Sequence, residues 1–292
     1  KADYAFLDWG ADPRRVDYEK LFLHRAEVLK KAFARFDRTA SDWKKFLKTG
    51  KYRDFALFMS LKSKFSYLPW TEWPEPYRLC DEKTIGAFMA ENGDELEFWQ
   101  FTQYLFLRQW NALKAYAHEN GVEIMGDMPI YVASDSVEMW KYRGELFLLD
   151  EKGAPAAVAG VPPDAFSADG QLWGNPVYDW EKLKGNGYAW WHARIDYALT
   201  LFDILRIDHF RGFDRYYEIP AGNETAVGGR WRRGPGMALF DAAQRALGKL
   251  DFIAEDLGTI DDGVRRLIRK SGFPSMKVLE FAFDGDPNNA YL

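Results

Sequence analysis

Cysteine is almost missing from this sequence: Cys80 stands alone among 292 residues. One cysteine excludes an internal disulfide framework and fits a reducing compartment, so a cytoplasmic location is expected. Histidine is scarce too. His24, His118, His192 and His209 are dispersed, with none of the spacing of a metal motif such as His-Glu-x-x-His, and no Gly-rich phosphate cradle is present, so neither a metal nor another cofactor is expected. No apolar run reaches membrane-spanning length, which argues against a membrane partner. The start Lys1-Ala2-Asp3-Tyr4 has neither an initiating Met nor a signal-peptide core and reads as an excision from a longer chain. An excess of positive charge is also lacking. The 39 basic residues are outnumbered by 44 acidic ones, a net charge of −5 that offers no basic stripe to nucleic acid.

Aromatic residues, by contrast, make up 17% of the chain and include 12 Trp. Flat rings bury the apolar faces of sugars while amides and carboxylates bond the hydroxyl rim, so the surplus suits carbohydrate binding; a large aromatic core would account for it equally well.

Apolar spacing predicts helices over 16–36, 41–48 and 51–65, then a proline-rich break at Leu68–Pro76 and a long amphipathic helix over 93–119 that Asn120-Gly121 ends. Residues 1–121 are thus expected to form a mainly helical subdomain. From Val122 the pattern changes to α/β: buried strands near 122–132, 202–208, 251–256 and 276–283, alternating with helices over 136–142, 190–201, 237–247 and 259–269. Between them, 143–180 reads as an insertion. It holds a hairpin, with arms 146–149 and 156–159 around Asp150–Gly153, and a long loop, 160–180, rich in proline, glycine and aromatic rings. Alternation of this kind means parallel strands with crossover helices, and acids on successive strand ends favour a closed barrel over a doubly wound sheet.

Asp127, Asp208 and Glu255 occupy those strand ends. Arg206 and Asp208 share a strand face, so a permanent cation sits beside Asp208 and favours its ionised form. Glu255 follows only apolar residues, surroundings that raise a carboxyl pKa and suit it to proton donation. Asp256 is its immediate rival, because neighbours on a strand face opposite ways. Asp127 has a blander alternative as a cap for the turn before Pro129, and Arg230-Trp-Arg-Arg233 reads as a solvated basic loop.

The strings Gly126-Asp-Met-Pro-Ile-Tyr-Val132, Gly160 to Trp180, Arg206-Ile-Asp-His-Phe-Arg-Gly-Phe213 and Ile253-Ala-Glu-Asp-Leu-Gly258 together resemble the 4-alpha-glucanotransferases, or amylomaltases, of the alpha-amylase clan. The resemblance runs from about Val16 to the C-terminus. It implies part of a (β/α)8 TIM-type barrel, strands three to six, and retaining transfer of alpha-1,4-glucan segments between maltooligosaccharides or chains derived from starch or glycogen. By that likeness Asp208 is the nucleophile and Glu255 the acid and base, a pair that should stand roughly 5–5.5 Å apart. Arg206 is similar to the arginine that bonds the nucleophile, and Asp127 to an aspartate that holds sugar hydroxyls. Asp164, Phe166, Gln171 and Trp173 are similar to residues lining glucan subsites, and His209, next to the nucleophile, is a further candidate for substrate contact. The family pattern also selects Glu255 over Asp256. Its third carboxylate, in a His-Asp motif on strand seven, and its first two strands have no counterpart between Lys1 and Leu292, so an internal fragment is expected. An alpha-glucan hydrolase of the same clan and a catalytically silent glucan-binding fragment are the alternatives.

Overall fold

The computed structural model describes residues 3–164, 167–258, 260–283, 285 and 289. It divides into two compact units, Lys1–Ala112 and Leu113–Leu292. The first is helical: Tyr18–Ala34, Ser41–Lys48, Arg53–Lys64, Glu75–Arg78, Glu82–Glu91 and the part of Gly93–Glu119 up to Ala112. The long helices fall where apolar spacing places them. Asp17 starts the first of them by accepting the Lys20 N–H, and Asp81 does the same for Glu82–Glu91 through Thr84, each satisfying a donor that the helix leaves open. Phe33, Trp43, Phe98, Phe101 and Tyr104 form one core cluster of this unit. Much of the aromatic surplus is spent on packing, since Trp43, Trp140 and Trp191 are wholly buried in their respective units.

Among its described residues the second unit contains seven strands: β1 (Met125–Pro129), β2 (Ala157–Val161), β3 (Gln171–Pro176), β4 (Ile204–Asp208), β5 (Arg215–Pro220), β6 (Arg230–Arg233) and β7 (Phe252–Ala254). β1, β4 and β7 make a parallel sheet in the order β1-β4-β7, with Asp127 opposite Arg206 and Ile207 opposite Ala254. The helices Ala189–Leu201 and Met237–Leu247 lie in the crossovers between them. Burial alternates along β4, so Leu205 and Ile207 are enclosed while Arg206 and Asp208 share the more open face. At the opposite end of the sheet, Asp203 fastens β4 to the chain entering β1. Its carboxylate accepts the Ile124 N–H at 2.8 Å and lies 3.0 Å from Lys114 Nζ and 2.9 Å from His118 Nε2.

The other strands form an antiparallel sheet, β3-β2-β5-β6, which bears on three sequence expectations. The stretch 160–180 is not all loop, because Gln171–Pro176 is a strand paired to β2. Its glycine content reads as turn chemistry, yet Gly160 is there for close approach: a Cβ on it would stand 2.1 Å from the Gln171 carbonyl oxygen. The expected hairpin is present but short: the Asp150 N–H bonds the Ala154 carbonyl, Leu149 bridges Pro155 and the Ala156 N–H bonds the Leu148 carbonyl, after which Ala157–Val161 pairs with β3 and β5. Arg230–Arg233 is a strand and not a loop, although it is solvated as expected, with Arg230, Arg232 and Arg233 exposed. Arg230 and Arg232 both turn onto Glu218, a buried acid inside β5.

Met276–Phe283 also departs from expectation. Ser275 makes one parallel bridge to Ala254, and Leu279–Phe283 is a 3-10 helix. β7 is only three residues long, and beyond it the Asp256 carboxylate accepts the Met276 N–H at 3.0 Å.

Candidate active site

Two of the three strand-end acids, Asp127 and Asp208, meet at one guanidinium. Arg206 Nη1 donates to Asp127 Oδ1 at 2.6 Å and its Nε to the Met276 sulfur at 3.1 Å, while its Nη2 lies 3.0 Å from Asp208 Oδ1 in an ion pair. A single guanidinium is thus shared between Asp127, Asp208 and the Met276 sulfur, which sets a permanent positive charge beside Asp208. Asp127 and Asp208 remain open, their side chains 60% and 43% exposed. A role for Asp127 as a cap of the Pro129 turn is not what the structure records; its carboxylate turns to Arg206.

Glu255 is enclosed where Asp208 is open. Its Oε2 accepts the His209 N–H at 2.9 Å and its Oε1 the Leu257 N–H at 2.6 Å. The first bond depends on His209 adopting a left-handed conformation, φ 52°, immediately after Asp208, a cost tolerated where function or packing demands it. Burial raises the Glu255 pKa; the two N–H donors pull the other way, and the Asp208 charge adds to the rise. Asp256, its rival, is occupied by the Met276 backbone and so faces elsewhere.

Beside Asp208 opens a cavity of about 180 Å³ lined by Pro129, Ile130, Tyr131, Trp173, Asn175, Asp208 and His209. The edge of the Trp173 ring meets the His209 imidazole with centroids 4.8 Å apart, and Trp173 stays 37% exposed. His209 Nε2 is buried without a hydrogen-bond partner among the described residues. Burial, with the Arg211 cation adding to it, pushes this imidazole down to about 4, so it is neutral at pH 7. Gln171 adjoins the cavity indirectly, its Oε1 accepting the Trp173 indole N–H at 3.0 Å. Asp164 does not line it; its carboxylate accepts the Ser167 N–H. Phe166 lies outside the described residues. Sequence reasoning missed Met276 as a partner of Arg206, along with Tyr131 and Asn175. Tyr131 sits inside the string Gly126–Val132 and Asn175 inside Gly160 to Trp180, so both could have been read from them, whereas no local signal marks Met276.

Acids at the C-terminal ends of neighbouring parallel strands, beside a partly aromatic cavity, are the arrangement of an α/β enzyme site. Comparison with known proteins narrows this. The family profile described as 4-alpha-glucanotransferase, glycoside hydrolase family 77, matches residues 2–292. The chain belongs to this family. It is 46% identical over 288 residues to the 4-alpha-glucanotransferase of Streptococcus pneumoniae, covering 97% of this chain and 57% of that protein. With the Thermus thermophilus 4-alpha-glucanotransferase it shares 47% identity over 292 residues, covering 98% of this chain and 58% of that protein. The amylomaltase of Streptococcus agalactiae, solved in complex with acarbose, superposes with a TM-score of 0.94 at 42% identity, over 99% of this chain and 59% of that one. The chain thus spans somewhat more than half the length of these relatives. The likeness read from its strings is borne out.

Proposed function

We propose that this chain carries the nucleophile and the acid of a 4-alpha-glucanotransferase that moves alpha-1,4-glucan segments with retention. The observation that supports it best is the pairing of environments: Asp208 is exposed and forked by Arg206, while Glu255 is buried with a raised pKa, and the His209 N–H ties one to the other. Such divergence between neighbouring acids separates a nucleophile from a proton donor.

Asp208 attacks the anomeric carbon as the glycosidic C–O bond breaks, and the Glu255 proton passes to the departing 4-oxygen. The leaving glucan is then exchanged for an acceptor. Glu255, now a carboxylate, takes the proton of the acceptor 4-hydroxyl, whose oxygen attacks the same carbon and releases Asp208. Arg206 holds Asp208 in line, Asp127 bonds sugar hydroxyls, and Trp173 and His209 present ring and imidazole to the sugar. Asp164, Phe166 and Gln171 belong to the surrounding glucan subsites. In this reading residues 122–292 form part of a TIM-type barrel, β1, β4 and β7 serving as strands three, four and five, and 1–121 are its helical elaboration. We place the protein in the cytoplasm, in keeping with its one cysteine.

The test is product analysis of the full-length protein with maltotriose. Longer and shorter oligomers plus glucose are expected, and Asp208→Asn should abolish their formation while the protein stays folded. Conversion to glucose and maltose alone would replace transfer with hydrolysis, and binding without turnover would leave only a glucan-binding role.

A further inference from the structure

We propose that Arg211 is a positioning residue that locks the loop after Asp208 to the loop after Glu255, an inference resting on the roles just assigned to those acids. Arg211 lies in the 3-10 turn Phe210–Phe213, directly after His209. Its side chain is only 7% exposed, an uncommon setting for a permanent cation. Nη2 donates to Asp261 Oδ2 at 3.0 Å, and the guanidinium carbon stands 3.9 Å from the centre of the Trp231 ring on β6. Asp261 is itself structural. Its Oδ1 accepts the N–H groups of Gly263 and Val264 at 2.8 and 3.1 Å and caps the helix Asp262–Ser271.

Glu255 and Asp261 thus bound one short segment, and both ends are stitched to the loop that follows Asp208. The His209 N–H holds the first end and the Arg211 guanidinium the second. The helix that Asp261 caps also packs closely on the end of the loop after Asp208: a Cβ on Gly263 would stand 2.3 Å from Asp214 Oδ2. Arg211 does not line the cavity beside Asp208, so its influence passes through the backbone of both loops. A two-acid transfer is sensitive to such placement, since a displacement of about 1 Å costs roughly 100-fold in rate.

The experiment measures kcat and KM for maltotriose, with melting temperatures, in the full-length protein carrying Arg211→Gln, Arg211→Lys, Asp261→Asn and the double change Arg211→Gln with Asp261→Asn. We expect kcat to fall roughly 10- to 100-fold in Arg211→Gln and Asp261→Asn with KM little changed. Arg211→Lys should recover part of the loss, and the double variant should be no slower than the slower single one. Lower melting temperatures with unchanged kcat per folded molecule would overturn the proposal, as would multiplicative losses in the double variant. Should Arg211→Gln not fold, Arg211→Lys and Asp261→Asn still decide it by the same split between kcat and KM. Asp208→Asn is measured alongside. If it keeps turnover, the assigned acids and this inference fall together; if it is inactive while the Arg211 and Asp261 variants match the parent, only the positioning role is lost.

Discussion

Replacing Glu255 with Gln removes one ionisable proton and keeps the shape of the side chain. The carboxylate is 8% exposed and divides its oxygens between the His209 and Leu257 N–H groups. Glutamine offers a single oxygen, so one of those donors is left facing an NH2 group, at a cost of about 1–3 kcal/mol. A second effect opposes it. Burial, outweighing the two N–H donors and reinforced by Asp208, raises the Glu255 pKa in the folded protein. A raised folded pKa stabilises fully below the unfolded value, and that stabilisation is lost as pH rises through the folded value. Above its folded pKa the ionised Glu255 is therefore a net burden on folding, which neutral glutamine removes. With the two effects in opposition, the melting temperature of Glu255→Gln is expected to stay within a few degrees of the parent. Turnover of maltotriose should fall roughly 100- to 10,000-fold, the usual contribution of a general acid. Transfer from alpha-glucosyl fluoride should survive better, because fluoride departs without a proton. The assay compares initial rates on both donors across about pH 4 to 9; the parent should lose activity on its alkaline side as Glu255 deprotonates, at a pH above that of an ordinary carboxyl, and the variant should lack that limb with the fluoride. Equal losses on the two donors, or an unchanged alkaline limb, would refute the assignment of Glu255 as the acid.

Two further outcomes follow from single side chains. Asp203 is held well below the usual carboxylate range: burial works against the anion, but His118, the Ile124 N–H and Lys114 outweigh it. A depressed folded pKa stabilises above the unfolded value and ceases to as pH falls, so Asp203→Asn should lower unfolding free energy by roughly 2–3 kcal/mol at pH 7 and by much less at about pH 3; equal deficits in urea unfolding at both pH values would remove the charge from the explanation. Trp173, 37% exposed at the cavity edge, is expected to act in binding alone. Trp173→Ala should raise KM for maltotriose roughly 3- to 10-fold with kcat nearly unchanged, and a fall in kcat alone would assign it to the transition state instead.

The fold was legible where one helix or strand carries its own signal. The helices Ser41–Lys48, Gly93–Glu119 and Met237–Leu247 follow apolar spacing, and β1, β4 and β7 follow buried runs. It was not legible where pairing partners lie far apart in the chain. β5 hides a buried glutamate in its run, and Glu218 is tolerable there only because Arg230 and Arg232 arrive from a strand that looks like a basic loop. Met276–Phe283 has strand-like composition, yet the only bridge recorded there among the described residues is Ser275 to Ala254, the Asp256 carboxylate takes the Met276 N–H, and Leu279–Phe283 turns into a 3-10 helix.

The acids themselves were readable from local chemistry. Alternation along β4 puts Arg206 and Asp208 on one face, and apolar neighbours foretell the raised pKa of Glu255. Sequence alone thus determined which acids stand at strand ends and the kind of environment each meets, because both follow from neighbours one or two residues away. Only the tertiary structure decided how those acids are joined. Arg206 reaches Asp127 across 79 residues, the His209 N–H reaches Glu255 across 46, and Arg211 reaches Asp261 across 50. Contacts at such separations are set by the register of parallel strands and the packing of the turns that follow them, and no local pattern encodes either.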